Sequence, residues 1–558
     1  MATSTLIISW PLATPTPPNG YRVKYWDLNN PTNITTVNPN PTTSPLTLTL
    51  PQVSKGYGGT VEASCNGGVY STPFSFTAPY EAIADVTAVT KIGNTSPWLV
   101  TSSQNFKVVW GDGTDNTYTA GTNVPVTHTY STAYTGSIKI QPVDPNSITK
   151  LDLTGGATPL LVNTVELKTA ELSKFGKLEI LNTNEDILVS GAAIDLPSTL
   201  KTISIPKTTI SGDVIELPES LVNLTILNSN TITGNVTGLP KGLVTLDLEG
   251  NNSVSGNIAN LPPSLTTITI IGNNNISGNI QDLSTAVVSC TILGSNSIAG
   301  SVSLMTSHSA LTNLVIEGNN TISGNLSGFS PTNIISLGIT GSNTITGSLS
   351  SLPYGSTQSV IISGNNTISG SINSLPAKLL VLNIGGSNTV SGDLTAGLPT
   401  NLITLVIDGT GAGVITGNIT GLPSTVSRFG IFAGNTVSGT LSTMPAAMLN
   451  FQVTGANTLT GDIGLIPANV NTFVLQGSNT ATYTTGKTWA GTMNYVNISK
   501  TGGYITAQLD KLFNELYAGG ATNWGAPKLI TVKGTVSGTS ATDRAGLTAK
   551  GVTITIIP

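Results

Sequence analysis

The chain has 558 residues, of which 9% are charged and 5% aromatic, and its formal net charge is -5 with only 22 lysines and arginines. That length allows several domains or one long repeat array, and the scarcity of cations leaves no electrostatic footprint for nucleic acid. No run of about 18 apolar residues is present to insert into a bilayer, and a polar share made mostly of Thr, Ser and Asn with abundant Gly is the composition of β-rich extracellular or virion proteins.

The N-terminal stretch MATSTLIISWPLATP lacks a basic region and reads as a first strand, so no signal peptide is expected there. The two cysteines, Cys65 and Cys290, fall in different predicted domains, and Cys290 takes an inward strand position, so a disulfide framework is not expected. Over residues 1–79, Leu6 to Trp10, Tyr21 to Trp26, Leu46 to Leu50, Thr60 to Ser64 and Tyr70 to Phe76 alternate as half-buried strands do, and Asn66-Gly67-Gly68 supplies a turn. This pattern predicts a small β-sandwich with Trp10 and Tyr21 in its core. The strings ISWPLATPTPPNGYRVKYW and GGTVEASCNGGVYS resemble a fibronectin type III domain.

Residues 80–146 read as a second β-sandwich, with a strand at Phe106 to Trp110, a tight turn at Gly111-Asp112-Gly113-Thr114, and Thr127-His128-Thr129-Tyr130 before Ser137 to Ile140. Gly111 and Gly113 permit unusual dihedrals and Asp112 can bond neighbouring amides. His128 is read as a packed, hydrogen-bonded residue, because no second His or Cys lies at ligand spacing for a metal. WGDGT followed by HTY resembles the polycystic-kidney-disease (PKD) type of immunoglobulin-like domain.

From residue 147 to about 490 the period changes. Reference glycines recur at Gly191, Gly212, Gly234, Gly256, Gly278, Gly300, Gly324, Gly347, Gly370, Gly392, Gly417, Gly439 and Gly461, most often 22 residues apart, which predicts a solenoid. Apolar residues two before and two after each glycine mark one strand, and an L-x-x-[LI]-x-[ILV] segment such as Leu265, Ile268 and Ile270 marks another. Between them an Asn recurs at Asn252, Asn274, Asn296, Asn320, Asn343, Asn366, Asn388, Asn435 and Asn457, and is assigned to a buried, backbone-bonding column. Leu-Pro pairs such as Leu261-Pro262 form the third corner, where proline's missing donor does no harm. The L-x-x-L-x-L-x-x-N frame resembles leucine-rich repeats, with ISGNI similar to the variant carrying a second strand; it departs from them in its Thr, Ser and Asn content and its missing helix.

The outward positions of the first strand form the candidate partner-binding face: Asn223, Thr225, Thr245, Asp247, Thr267, Thr269, Ser289, Thr291, Asn313, Ser336, Asn383, Thr404, Arg428, Asn450 and Gln452, interrupted by Val315, Gly338, Val381, Val406 and Gly430. The face is small and nearly neutral, without the aromatic platforms a glycan-binding surface would show, and too interrupted for an ice-binding plane. Glycoside hydrolysis needs two carboxylates about 5 to 9.5 Å apart. Glu249 and Glu317 stand three coils apart, about 14 Å at the ~4.8 Å strand spacing, and Asp247 with Glu249 reads as solvated charge at a strand end. No catalytic, metal-binding or cofactor-binding residue is therefore expected.

Residues 491–558 predict an α/β cap, with an amphipathic helix over Ala507 to Tyr517, a strand over Leu529 to Val532, a short helix over Ser540 to Lys550 and a last strand over Val552 to Ile557. The fold class expected is mainly β: two small N-terminal β-sandwich domains, a leucine-rich-repeat-like β-solenoid with coils of about 22 residues, and a short α/β C-terminal cap. The module order resembles the surface proteins of Bacteroidetes-type bacteria and of the phages that infect them. That resemblance implies a non-enzymatic virion structural or adhesion protein (fibre, spike or capsid appendage) on the virion surface, a homo-oligomer contacting other virion proteins through its N-terminal domains and a host surface protein or glycan through the solenoid. The alternatives are a secreted bacterial cell-surface adhesin and a polysaccharide depolymerase.

Overall fold

A computed structural model describes residues 3–8, 17, 19–27, 32–44, 46–51, 57–64, 70–78, 86–89, 93–94, 98–130, 135–142, 144–154, 165–185, 187–329, 331–352, 355–409, 413–432, 435–519 and 525–558. Trp10, Cys65 and the turn Asn66-Gly67-Gly68 lie outside them. The chain forms two compact units, Met1–Ser255 with Ile270–Asn273, and Gly256–Thr269 with Asn274–Pro558.

The first unit begins with two antiparallel sheets. Thr3–Ile8 pairs with Leu46–Pro51, and a four-stranded sheet runs Thr35–Thr36, Tyr21–Asp27, Tyr57–Ala63, Phe74–Ala78. Leu46 and Leu48 of the one sheet pack on the buried Tyr21, Val23 and Val61 of the other, which is how a sandwich buries its alternating apolar face.

A second group of antiparallel strands follows, its core formed by Trp98, Val100, Phe106, Val108, Trp110, Val126, Tyr130, Ile138 and Ile140. Gly111 and Gly113 do take positive φ, at 82° and 91°, and Asp112 accepts from the Thr114 amide at 3.0 Å and from His128 Nε2 at 2.8 Å. The His128 ring stacks on Trp110 at 4.6 Å, so this histidine is a packing residue. Ile148–Leu153 then pairs antiparallel with Trp98–Ser102 and parallel with Ile180–Thr183, so one sheet passes from these antiparallel strands into the first coil.

From there the strands of this unit are parallel, through Thr202–Asp213 and Asn223–Asn228 to the strand containing Thr245. Leu224, Ile226, Leu246 and Leu248 point inward and are buried, while the residues between them are half-buried. This is the period of 2 that a strand with one packed face requires.

The second unit repeats the arrangement in coil after coil. Ser289–Ala299, Asn313–Asn320, Ser336–Ser348, Ser359–Gly364, Val381–Ile384, Thr404–Ile407, Arg428–Ile431 and Asn450–Val453 pair in parallel register. Where Leu gives way to Phe at the inward position, Phe429, Phe451 and Phe473 stack at 5.7 and 5.8 Å. Three features hold the coils.

The first is the asparagine column. Asn343, fully buried, accepts the Ile322 N–H at 2.9 Å from the coil before and donates to the Ser363 carbonyl of the coil after at 3.1 Å. Asn296, Asn320, Asn366 and Asn388 do the same. An unpaired buried backbone group costs about 1–3 kcal/mol, so each side chain removes two such penalties. The column is absent at one coil, where Gly413 takes the place, and it gains Asn230 in the first unit and Asn479 in the second.

The second is the hydroxyl set of the second strand. Ser277 donates to the Gly256 carbonyl at 3.2 Å, Ser369 to Gly347 at 3.1 Å and Thr346 to Gly324 at 3.4 Å. The third is a 3₁₀ turn in almost every coil, such as Leu326–Gly328, capped by the Asn325 side chain on the Ser327 amide at 2.9 Å. Those turns occupy the place where the sequence shows only a missing helix.

Tyr495–Ile498, Leu529–Lys533 and Thr553–Ile557 continue the same parallel sheet beyond Thr472–Leu475. Helix α1 (Thr506–Ala518) buries Leu509, Leu512, Phe513 and Leu516, the face its spacing predicts, and α2 (Ala541–Ala549) follows a 3₁₀ turn capped by Ser537. Cys290 is free and buried, and burial pushes its thiol up to about 12.

Candidate functional site

The strand face presents two outward columns. In the first unit Asn223 stands beside Thr245, and Thr225 beside Asp247. In the second unit one column runs Ser289, Asn313, Ser336, Ser359, Val381, Thr404, Arg428, Asn450, Thr472, Tyr495, and the other runs Thr291, Val315, Gly338, Ile361, Asn383, Val406, Gly430, Gln452, Val474, Asn497. Thr267 and Thr269 belong to the strand that begins just after Thr266, whose carbonyl accepts from the Val288 and Ser289 amides. Parallel pairing fixes the columns, because each coil returns the chain to the same register.

The expected face residues are half-buried, with two exceptions. Arg428 is exposed. Thr404 is buried, at 7% exposure, so its place on the free face is corrected: it stands between Val381 and the long Arg428 side chain of the adjoining strands. Ser359, Ile361 and Tyr495 also line the face, with Asn497 buried beneath it, and the repeat frame does not reveal them because their coils depart from its L-x-x-L spelling. Their signal is position alone, counted by register.

Asp247 departs from the expectation of a solvated charge. Its Oδ1 is buried without a partner, and burial, with the Glu249 charge beside it, pushes its carboxyl up to about 6. In the second unit Glu317 and Asp408 are exposed strand-end acids four strands apart, about 19 Å at the ~4.8 Å strand spacing, too far for a hydrolytic pair.

Near the C-terminal end the face becomes an amide network. Gln452 Nε2 donates to Asn450 Oδ1 at 2.8 Å, Gln476 Nε2 to Asn497 Oδ1 at 2.9 Å, and Asn497 Nδ2 to the Tyr495 hydroxyl at 2.8 Å. Beside Arg428, Gly430 is buried, with the Phe432 ring 3.1 Å and Val406 3.4 Å from where a Cβ would stand. A groove on the helices, lined by Asp510, Lys511, Asn514 and Asp543, is less available: Asp510 is occupied by the Ser537 amide and the Ser537 and Ser540 hydroxyls. Among the described residues no group of three or more His, Cys, Asp or Glu could hold a metal ion, and no helix is long and apolar enough to cross a membrane.

No protein-family model and no curated protein matches the chain. Among solved structures it is similar to the PEPR1–AtPEP1 crystal structure, at 22% identity and a TM-score of 0.40, covering 57% of this chain and 51% of that one. It is also similar to the plant peptide hormone receptor RGFR1 in complex with RGF2, at 20% identity and 0.42, covering 70% and 67%. A third is the leucine-rich-repeat ectodomain of the Arabidopsis receptor kinase HAESA with an N-terminally extended IDA peptide hormone, at 17% and 0.44, covering 67% and 69%. The chain spans about half the length of the first of these.

Proposed function

We propose that this chain is a non-catalytic binding protein that presents its strand face to a partner surface. More finely, we propose a phage virion appendage, a fibre, spike or capsid protein, whose N-terminal β-domains anchor it to other virion proteins while the coils meet a host surface. The observation that carries the binding reading is the register: small neutral hydroxyl and amide side chains recur at matching positions in successive strands, a surface suited to recognition by shape and hydrogen bonds. The virion reading rests on the module resemblance.

A secreted bacterial adhesin would use the same face and differs in where the protein is found. A depolymerase draws support only from Asp247 beside Glu249. The test joins location to contact. Immunogold labelling of purified particles is expected to mark the protein, and its absence there would remove the virion reading. Purified chain is expected to adhere to host cells, and Ser289→Arg with Ser336→Arg, which places two long side chains on the face, to abolish adhesion; undiminished adhesion would remove the face from the function. Release of reducing sugar from host polysaccharide, lost in Asp247→Asn, would establish the depolymerase instead.

A further inference from the structure

Arg428 is the one charged residue in the two outward columns of the second unit. It is exposed. Among the described residues its side chain has no ion pair, although other cations such as Lys150, Lys174 and Lys201 stand beside carboxylates. In a chain of net charge -5, a guanidinium standing unpaired in a neutral face is a selective feature. Its planar fork accepts a carboxylate through two parallel hydrogen bonds.

The neighbours of Arg428 define the rest of the ligand. Gly430, in the same strand, is buried, with the Phe432 ring and Val406 filling the space beside it. In the next strand Asn450 and Gln452 are tied to each other at 2.8 Å, which holds their remaining amide donors and carbonyl acceptors in fixed directions, the pairing that adjacent sugar hydroxyls require. Three strands from Arg428, in the same column, stands Tyr495, its hydroxyl held by Asn497. At the ~4.8 Å strand spacing that is about 14 Å of face, with a cation at one end, amides in the middle and an aromatic ring at the other. Polar groups outnumber apolar ones among the side chains of this stretch, which favours a hydroxyl-rich ligand over a protein surface anchored in apolar pockets.

We propose that the stretch from Arg428 to Tyr495 binds a carboxylate-bearing oligosaccharide, the acid on Arg428 and the sugar rings over Gln452 and Tyr495. This rests on the strand face being the binding surface and adds the class of ligand. The test is an array of uronic-acid and sialic-acid oligosaccharides, each paired with its carboxyl-reduced form, probed with the full chain, followed by calorimetry on the strongest binder. Binding to an acidic member, weakened roughly tenfold or more by carboxyl reduction and equally by Arg428→Gln, with partial retention in Arg428→Lys and an unchanged melting temperature, is the expected result. Equal binding of reduced and acidic forms, insensitivity to Arg428→Gln, or no binding to any acidic member would overturn it. If the chain still adheres to cells through the face blocked by Ser289→Arg and Ser336→Arg, the binding face survives and only the acidic ligand falls. If adhesion is also indifferent to those changes, both fall.

Discussion

Asn343 accepts the backbone N–H of Ile322, one coil earlier in the chain, at 2.9 Å. Its amide nitrogen reaches forward to Ser363, so removing it strands a donor and an acceptor in a dry corner. Asn343→Ala is expected to cost about 2–4 kcal/mol, the sum of two unpaired backbone groups. At Asn457 the Oδ1 already lacks a partner, and the amide nitrogen donates to the Gln476 carbonyl at 2.7 Å and to the Gly455 carbonyl at 3.4 Å. Asn457→Ala should therefore cost about half as much. Denaturant midpoints of the two variants, compared at equal slope, check the difference; equal losses would show that the column acts by packing and not by its bonds.

Glycine is required where a coil crosses the cap of the one before. Gly278 has φ of 100°, and a Cβ there would collide with Asn257 Oδ1. Gly278→Ala is expected to destabilise by about 1–3 kcal/mol. Gly242 would meet only the Leu221 carbonyl, at 3.6 Å, and Gly242→Ala is expected to be neutral or stabilising by up to about 1 kcal/mol. Thermal melts of the pair separate a strained site from a permissive one.

Asp247 opposes folding when ionised. Its folded carboxyl titrates near 6, above the ordinary 3.8, so the folded state holds the proton more tightly and its contribution to stability falls as pH rises from about 4 to about 6. Asp247→Asn should flatten that slope and stabilise the protein at pH 7. The side chain is about half-buried and solvent screens it, so the gain is on the order of 1 kcal/mol. Midpoints measured across pH 3 to 8 decide it; an unchanged slope would mean the carboxyl is solvated after all.

Asp462 works in the other direction. Burial raises its carboxyl, but bonds from the Thr484 hydroxyl and amide, the Gly464 amide and Thr485 outweigh that and hold it at about 2. The folded state prefers the ion, so this stability is full above about 4 and is lost as pH falls toward about 2. Asp462→Ala should lose on the order of 1 kcal/mol at pH 7 after allowance for its exposure, with no such loss at pH 2. Hydrogen exchange of the Thr484 and Thr485 amides is the local readout.

The coil frame was legible in the sequence because each of its parts is a local necessity. The inward Leu and Ile, the glycines at positive φ and the buried Asn recur wherever the chain turns the same corner. Helix α1 was legible for the same reason, since Leu509, Leu512, Phe513 and Leu516 mark one face without reference to anything distant. The face was only half legible. Asn313 and Ser336 follow from the repeat, but Tyr495 enters it through pairing with the Thr472 strand, which no spacing rule announces. The burial of Thr404 and of one Asp247 oxygen depends on neighbours in adjoining strands, and the 3₁₀ turns carry a spelling, Asn, Ser or Asp followed by Val, Ile or Leu, too common to predict them.

Asn320, Asn343 and Asn366 each spend their two bonds on the immediately preceding and following coils. A coil copied in place would thus arrive with its own connections complete and leave those of its neighbours intact. Copy number can then drift through gene duplication without a search for new compensating residues, while Arg428 and the few side chains around it are carried along as a cassette whose place within the second unit is set by how many coils of that unit precede it.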